Sequence, residues 1–246
     1  MRLLKGLLGF LLVCGIYVSL PDLQSTKDRI FSRKDDFVML TNEAGNSGGS
    51  GFAIIAKSGK LYTLTNAHVC DGVKDAEGYV YGHDAESENR TVKLKVLEIS
   101  DFTDLCLLEP MPKAKGFEMA SYAPKIFDKA FVVGFPALEP LQPSEGILLR
   151  PIGIEVVENK PVSECTQEKE RVVTQTIDFL GLRISQDFCV MHLVAYSSTI
   201  KIFSGNSGSP VFNAGGDVIG VVFAAGLPNN SMIVRLDDIV RFLAIR

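Results

Sequence analysis

The sequence Gly-Asn-Ser-Gly-Ser-Pro-Val-Phe at residues 205–212 sets Ser207 between two glycines, directly before a short apolar run. Glycine adopts positive φ angles at little cost and lets the backbone approach another group closely. Backbone N–H groups in such a turn can converge on one point, where they would stabilise an oxyanion. Ser207 is therefore a candidate nucleophile, although a stretch rich in Gly, Ser and Asn is by itself more typical of a plain turn.

Two earlier segments supply the partners that a serine nucleophile needs. Thr-Asn-Ala-His-Val at residues 65–69 carries His68 just after an apolar alternation. Asp-Phe-Thr-Asp-Leu-Cys-Leu-Leu at 101–108 carries Asp101 and Asp104 at the start of another apolar run. A serine hydroxyl requires a base within hydrogen-bonding reach, and the base requires a partner that orients it. The order His, Asp, Ser along the chain therefore indicates nucleophilic catalysis.

These three segments resemble the chymotrypsin-like (trypsin-like) serine proteases, particularly the bacterial branch. TNAHV and DLCLL are similar to motifs of the high-temperature-requirement proteases. GNSGSPVFN is similar to the staphylococcal glutamyl endopeptidases and exfoliative toxins. Val133-Gly134-Phe135-Pro136 resembles the turn that these bacterial enzymes carry between their barrels. The resemblance runs from about Val38 to the C-terminus.

The resemblance implies an all-β fold of two antiparallel six-stranded β-barrels, at about 37–125 and 126–235, followed by a C-terminal α-helix. The composition agrees, because 22 glycines and 11 prolines separate short strand-like runs. Apolar residues at positions 236, 239, 240 and 243 have helical spacing. The predicted strands are 37–40, 51–55, 61–65, 91–99, 130–134, 145–149, 172–176, 188–196, 209–212 and 218–223.

Three polar stretches are predicted to be loops or linkers, one of them with a broken hairpin as the alternative. Residues 42–51 are predicted to form a hairpin loop, because they are rich in Gly, Asn and Ser. Residues 75–89 are predicted to form a polar loop or a broken hairpin. Residues 24–36 mix charges without a helical apolar face. We therefore interpret 21–36 as a linker that precedes a protease domain at 37–246.

The resemblance also assigns chemical roles. Ser207 would attack the peptide carbonyl, His68 would take its proton, and Asp104 would orient the imidazole. The backbone N–H groups of Gly205 and Ser207 would form the oxyanion hole. Asp104 is preferred to Asp101 because it directly precedes the apolar run, as in the family motif, and Asp101 is expected to cap the preceding loop.

The other candidate residues receive structural interpretations. We expect His83 to be a solvated side chain in the polar loop and His192 to take part in packing or to lie at a strand edge. Asn206 stands where the animal enzymes have an aspartate that pairs with a newly freed N-terminus. The resemblance therefore implies that no proteolytic activation is needed.

The primary specificity pocket is expected near two segments. By position they contribute Lys201, Ile202, Phe223, Ala224 and Ala225. No acidic residue stands six positions before Ser207, so a preference for Arg or Lys is not expected. Lys201 would either pair with an acidic substrate side chain or point to solvent, and the second interpretation is preferred.

The N-terminal residues 1–20 differ from the rest of the chain. Arg2 and Lys5 precede the apolar run Leu7–Leu20, which Pro21 closes. This pattern predicts a signal peptide or a membrane anchor, and a buried core helix is the less favoured alternative. We therefore expect an exported protein that is periplasmic, secreted or tethered to a membrane on its extracytoplasmic side.

Four cysteines lie outside that segment, an even number that indicates disulfides in an exported chain. Cys70 and Cys106 each lie two residues beyond a member of the proposed triad, so they should pair if the triad assembles. Cys165 and Cys189 are paired by elimination. The alternative is four reduced, buried cysteines.

The composition excludes several classes of function. The 25 basic and 29 acidic residues form no basic stripe that would suit nucleic acid. No cysteine or histidine spacing indicates a metal, and no cofactor is predicted. The expected partners are protein or peptide substrates. The chain is therefore predicted to be a serine endopeptidase that acts through an acyl-enzyme; the alternative is a binding or scaffold protein with the same fold and an unused triad.

Overall fold

The computed structural model describes residues 22–85, 91–100, 102–157, 163, 165, 170–179, 182–225 and 230–244. Three α-helices are found in these ranges: α1 (Leu23–Phe31), α2 (Ala67–Val73) and α3 (Leu236–Leu243). The first six strands are β1 (Phe37–Thr41), β2 (Gly48–Ile55), β3 (Leu61–Thr65), β4 (Tyr79–Asp84), β5 (Thr91–Ile99) and β6 (Cys106–Leu108). The next seven are β7 (Lys129–Gly134), β8 (Gln142–Val157), β9 (Glu170–Phe179), β10 (Leu182–Ser198), β11 (Pro210–Phe212), β12 (Val218–Ala225) and β13 (Ser231–Arg235).

The strands form two closed antiparallel barrels, as predicted. The first has the order β1-β2-β3-β6-β5-β4. The second has the order β13-β12-β11-β7-β8-β10 and closes through pairing of β10 with β13. Strand β9 pairs with β10 outside this barrel and extends the sheet. The two barrels and the C-terminal helix confirm the predicted fold class.

Aromatic side chains join the barrels in one core. Phe37 of β1 and Phe117 of the connection between the barrels have ring centroids 5.2 Å apart. Phe117 lies 4.9 Å from Phe212 of β11, and Phe212 lies 5.3 Å from Phe131 of β7. All four rings are buried. Offset and edge-to-face contacts at these distances are favourable beyond the area that they bury.

Helix α1 contradicts the interpretation of residues 24–36 as lacking a helical face. Asp22 caps the helix through its side chain, and Thr26 and Ile30 are its buried residues. These two positions are one turn apart, so the helix buries a stripe too narrow to produce an apolar pattern in the sequence. Next to this stripe, Lys27 forms an ion pair with Glu145 of β8, and Arg29 donates to the carbonyl of Gly215.

Two further segments refine the predictions. Strand β4 lies in 75–89, where a polar loop or a broken hairpin was expected, and its pairing with β5 agrees with the hairpin alternative. Val80 and Gly82 are its inward residues and alternate with Tyr79 and Tyr81. The ammonium group of Lys93 lies over both tyrosine rings. Strand β2 begins at Gly48, inside the predicted loop, because 48–50 pair with the end of β1. In both cases pairing with a neighbouring strand stabilises a β-strand that the local sequence does not favour.

The C-terminal helix α3 agrees with its predicted spacing. It buries Leu236, Ile239, Phe242 and Leu243, and two aspartates occupy its first turn. Negative charge at that end is favourable for the helix dipole. Among the helices of the described ranges, none has the length and apolar character needed to cross a membrane.

Candidate active site

His68 and Asp104 are brought together by neighbouring strands of the first barrel. Strand β3 leads directly into α2, where His68 is the second residue, and β6 begins two residues after Asp104. Thr65 of β3 is paired with Cys106 of β6 in the register of the sheet. The disulfide between Cys70 and Cys106, with Cα atoms 6.5 Å apart, also ties α2 to β6. The predicted pairing of these cysteines is confirmed.

The Asp104 carboxylate contacts His68 at two atoms. His68 Nδ1 lies 2.9 Å from Asp104 Oδ2, and the backbone N–H of His68 donates to Oδ1 at 3.0 Å. When Nδ1 carries the proton of a neutral imidazole, Nε2 is left as a hydrogen-bond acceptor. The contact therefore favours the tautomer that a general base requires.

Asp104 adopts an uncommon backbone conformation, with φ of 48°. The buried side chain of Asn66 stabilises it, because Asn66 Nδ2 donates to the Asp104 carbonyl at 2.9 Å. Asn66 therefore positions the aspartate. Asn66 lies in the motif at 65–69, but nothing in that motif predicts its contact with Asp104.

The pKa of His68 is raised above the ordinary value of a histidine. Partial burial by itself lowers this pKa. The hydrogen bond and negative charge of Asp104, with a further contribution from the charge of Asp71, outweigh that burial. Protonated His68 is therefore stabilised where it stands, beside a carboxylate that is mostly buried while the imidazole is half-exposed.

The Ser207 turn depends on glycines at two positions. Gly205 and Gly208 have φ angles of 89° and 86°. A Cβ atom on Gly205 would lie 2.4 Å from the carbonyl oxygen of Phe135, and one on Gly208 would lie 2.0 Å from that of Ser50. Because both are clashes with backbone, no larger residue fits either position.

Two backbone N–H groups of this turn remain available. Those of Gly205 and Ser207 donate to no acceptor within the part of the chain that the structure describes. The carbonyl groups of the same two peptide units are engaged: the Ala137 N–H donates to the Ser204 oxygen, and the Ser209 N–H donates to the Asn206 oxygen. Since N–H and C=O point in opposite directions in a trans peptide, these bonds fix the directions of the two free donors.

Ser50 of β2 connects the first barrel to the Ser207 turn. Its hydroxyl donates to the Gly205 carbonyl at 2.7 Å and accepts from the Phe135 N–H at 3.0 Å. Its backbone N–H donates to the Ser207 carbonyl at 2.7 Å. Thr65 completes the arrangement by donating to the Ser50 carbonyl. These contacts join residues far apart in sequence, and sequence reasoning missed them.

The Ser207 hydroxyl is half-buried and donates to the carbonyl of Phe223 at 3.4 Å. In this rotamer the Ser207 hydroxyl makes no hydrogen bond to His68, and the structure describes both residues. A change of χ1 between staggered wells redirects a serine hydroxyl without moving the backbone. Hydrogen bonds between a nucleophile and its base are often long or misaligned before substrate binds.

The remaining predicted site residues have mixed outcomes. Lys201 is exposed, Ile202 is half-buried and Phe223 is buried. Ala224 and Ala225 belong to β12, but their side chains lie outside what the structure describes, as does Asp101. The pocket that these five residues were expected to form stays a prediction.

The two other histidines lie in strands. His83 is half-buried in β4, with Nε2 at 2.8 Å from Thr41 Oγ1, so the expectation of a solvated loop residue is wrong. His192 is exposed in β10 and lies against Gly153. Within the described ranges, no group of three His, Cys, Asp or Glu side chains could hold a metal ion.

The second predicted disulfide is also present. Cys165 and Cys189 are bonded, with Cα atoms 5.6 Å apart. All four cysteines of the described ranges are therefore paired, and the alternative of four reduced thiols is wrong.

Two closed six-stranded barrels, with a histidine–aspartate pair on one and a glycine-flanked serine on the other, define the chymotrypsin-like class of fold. Residues 49–221 match the family model described as a trypsin-like peptidase domain. The chain belongs to this family. No protein among the curated sequences matches the chain.

Several solved structures share this fold at low sequence identity. The inactive form of the Rv3671c protease is 18% identical, with a TM-score of 0.60 over 92% of this chain and 97% of that one. The active form from M. tuberculosis is 16% identical, with a TM-score of 0.59 over 92% and 87%. A serine endoprotease from Yersinia pestis is 17% identical, with a TM-score of 0.60 over 89% of this chain and 65% of that one.

Proposed function

We propose that the protein is a serine endopeptidase in which Ser207 is the nucleophile, His68 the general base and Asp104 the residue that orients the base. The observation that carries this proposal is the double contact of the Asp104 carboxylate with His68 Nδ1 and N–H. It leaves Nε2 free to accept the proton of a serine. Membership of the trypsin-like peptidase family supports the same assignment.

The proposed reaction has two stages. The Ser207 oxygen attacks the carbonyl carbon of the scissile peptide while its proton passes to His68 Nε2, and the carbonyl oxygen becomes an oxyanion. The free N–H groups of Gly205 and Ser207 would stabilise that oxyanion. Collapse of the intermediate breaks the C–N bond, and His68 gives its proton to the departing amine. Water then attacks the acyl-enzyme by the same steps and releases the acid.

In this cycle the Asp104 carboxylate stabilises the imidazolium form of His68 between the two proton transfers. The raised pKa of His68 reports that stabilisation in the resting protein. Asn66 donates a hydrogen bond to the Asp104 carbonyl and acts as a positioning residue.

Export of the protein is part of the proposal. Two disulfides are typical of chains that fold in an oxidising compartment. We expect its substrates to be proteins or peptides in that compartment, with residues 1–20 serving for export or as a tether.

A fluorophosphonate probe tests the nucleophile directly, because the serine oxygen displaces fluoride and remains bonded to phosphorus. We expect labelling and peptide hydrolysis in the unaltered protein and neither in Ser207→Ala. The matched control is Ser204→Ala, which removes an exposed hydroxyl three residues away and should preserve both. Equal activity in the unaltered protein and Ser207→Ala would contradict the proposal. A well-folded chain that is never labelled would support the binding-protein alternative.

A further inference from the structure

The connection between the barrels exposes large apolar side chains next to one another. We call residues 121–128 the inter-barrel loop. Tyr122 is 75% exposed, Ile126 is 49% exposed and Phe127 is 70% exposed. The other exposed large apolar side chains of the described ranges are separated along the chain: Leu97, Val172, Val194 and Phe203. Clustered apolar exposure of this kind marks an interaction surface, whereas single exposed residues are ordinary.

The loop is built to hold its apolar tip outward. The Asp128 N–H donates to the Lys125 carbonyl at 3.1 Å and closes a four-residue turn. Phe127, the third residue of that turn, has a φ of 71°. This is the pattern of a type II turn, in which Gly or Asn normally occupies the position. A bulky aromatic residue there is conformationally unfavourable, and the Phe127 ring is 70% exposed and so gains little packing that would offset the cost.

Hydrogen bonds to strand β8 make the turn rigid. The Phe127 N–H donates to the Leu148 carbonyl at 2.8 Å, and the Leu148 N–H donates to the Asp128 carbonyl at 3.0 Å. The Asp128 carboxylate accepts from the Lys125 N–H at 2.8 Å. One oxygen of the exposed Asp128 carboxylate is therefore engaged by the backbone of the loop.

Two of the three charged residues beside the apolar tip are basic. Lys125 and Lys129 flank Ile126 and Phe127 and are exposed, and Asp128 is the one acidic residue among them. Residues 125–129 therefore carry a net charge of +1, whereas the chain as a whole has a net charge of −4. Exposed aromatic rings interleaved with lysines match the interface of an anionic bilayer, where rings lie among the headgroups and ammonium groups meet lipid phosphates.

The loop shares its supporting strand with the N-terminal helix. Lys27 of α1 pairs with Glu145 of β8, three residues before Leu148. Three strand residues span roughly 10 Å. Helix α1 and the inter-barrel loop are therefore attached to the same stretch of β8.

We propose that the inter-barrel loop docks on the surface of an anionic phospholipid bilayer, with Tyr122, Ile126 and Phe127 inserted at the headgroup boundary. The insertion is shallow, as in other interfacial membrane contacts. This surface is independent of the proposed peptidase chemistry.

The chain contains no tryptophan, so one substitution creates a single fluorescent reporter. The full chain carrying Phe127→Trp is reconstituted into vesicles of phosphatidylcholine and phosphatidylglycerol, with and without bromine atoms near the glycerol end of the acyl chains. We expect a shift of the emission to shorter wavelength and loss of intensity with the brominated lipid. Tyr122→Trp reports on the same surface if Phe127→Trp does not fold, because Tyr122 has no positive φ.

The matched control is Phe203→Trp, whose parent side chain is 64% exposed in the segment before Ser207. We expect this reporter to keep its intensity in brominated vesicles. Lys125→Gln together with Lys129→Gln should weaken quenching of the loop reporters, as should vesicles of neutral lipid alone. Equal quenching at 127 and 203, or none at 122 and 127, would overturn the proposal. A spectral shift that depends on protein concentration but not on vesicles would assign the surface to a second copy of the chain and would also overturn it.

Discussion

The two barrels position their parts of the candidate site by different means. In the first barrel the contacts come from side chains: the Asp104 carboxylate, the Asn66 amide and the Cys70–Cys106 disulfide. In the second barrel they come from the main chain, with glycines at positive φ and carbonyl groups bound by backbone N–H donors. Removing a side-chain group should therefore disrupt the part of the site on the first barrel. Adding a side chain to a glycine should disrupt the part on the second barrel.

The largest effect on activity is expected when a methyl group is added to the Ser207 turn of the second barrel. Gly208→Ala would place Cβ 2.0 Å from the Ser50 oxygen and 2.3 Å from Thr65 Oγ1. We expect loss of measurable peptidase activity and of fluorophosphonate labelling, with a lowered unfolding temperature. Gly72→Ala in α2 is the control, because nothing lies within 4 Å of its Cβ. That change should stabilise the helix by about 0.5–1 kcal/mol. Equal activity and equal unfolding temperature in Gly208→Ala and Gly72→Ala would contradict the view that the second barrel positions its part of the site through the main chain.

The next effect concerns the carboxylate of the side-chain half. Asp104→Asn retains the shape but removes the charge and favours the wrong imidazole tautomer. On the proposed mechanism we expect kcat to fall by about 10⁴-fold, the size found for this change in a related triad. The measurement is steady-state peptide hydrolysis. Asp71→Asn is the control, since Asp71 contributes only charge to His68 and should change kcat little.

The pH dependence of the same variants gives a finer test. Catalysis needs neutral His68, so kcat/KM should fall as the pH drops through the raised pKa of His68. Asp104→Asn removes the main contributions that raise it, so the acidic limb should move to lower pH. Asp71→Asn should move it in the same direction by less. The free energy of unfolding has the opposite pH dependence. Protonated His68 contributes to it fully below the ordinary histidine pKa, and this contribution is lost as the pH rises through the raised pKa of His68 in the folded protein. An unmoved acidic limb in Asp104→Asn would assign the titration to another group.

A smaller effect on activity is expected from the disulfide. Cys70→Ala combined with Cys106→Ala opens a loop with a sequence separation of 36. Thermal or urea unfolding should show a loss of about 3–4 kcal/mol in the free energy of unfolding. Activity measured well below the unfolding temperature should fall far less than in Asp104→Asn, because the hydrogen bonds between Asp104 and His68 remain. A loss of activity as large as that of Asp104→Asn would show that the disulfide itself sets the geometry.

The smallest expected effect on activity lies in the segment before the first barrel. The buried Asp36 carboxylate accepts from the N–H groups of Lys115 and Gly116 at 2.6 and 2.8 Å and pairs with Arg33. Asp36→Asn should cost about 1–3 kcal/mol of stability, because a buried polar contact is left unmatched. Peptide hydrolysis per folded molecule should be unchanged. Asp35→Asn, at a half-buried neighbour, should change neither. A fall in turnover in Asp36→Asn would show that the segment before β1 contributes to the candidate active site.

The barrels and the residues of the candidate site could be predicted because each leaves a local pattern. Strands such as β3 and β12 are apolar runs bounded by turns, and His68, Asp104 and Ser207 sit in short motifs. The missed parts depend on contacts far away in the chain. Ser50 and Gly205 are 155 residues apart, and nothing near Ser50 marks it as the residue that holds the turn. Helix α1 was missed for a related reason, since it buries only Thr26 and Ile30 and its polar partners Glu145 and Gly215 lie far away in the chain.

Ser50 has a consequence for when the protein becomes active. Its hydroxyl and N–H groups come from the first barrel, yet they fasten the carbonyls of Gly205 and Ser207 in the second. On the proposed mechanism, neither barrel carries a complete oxyanion hole without the other. On that mechanism, a chain whose barrels have not yet come together would lack proteolytic competence, and partial opening of the contact between the barrels would abolish it. This dependence would protect neighbouring proteins, and the chain itself, from cleavage by a half-folded intermediate.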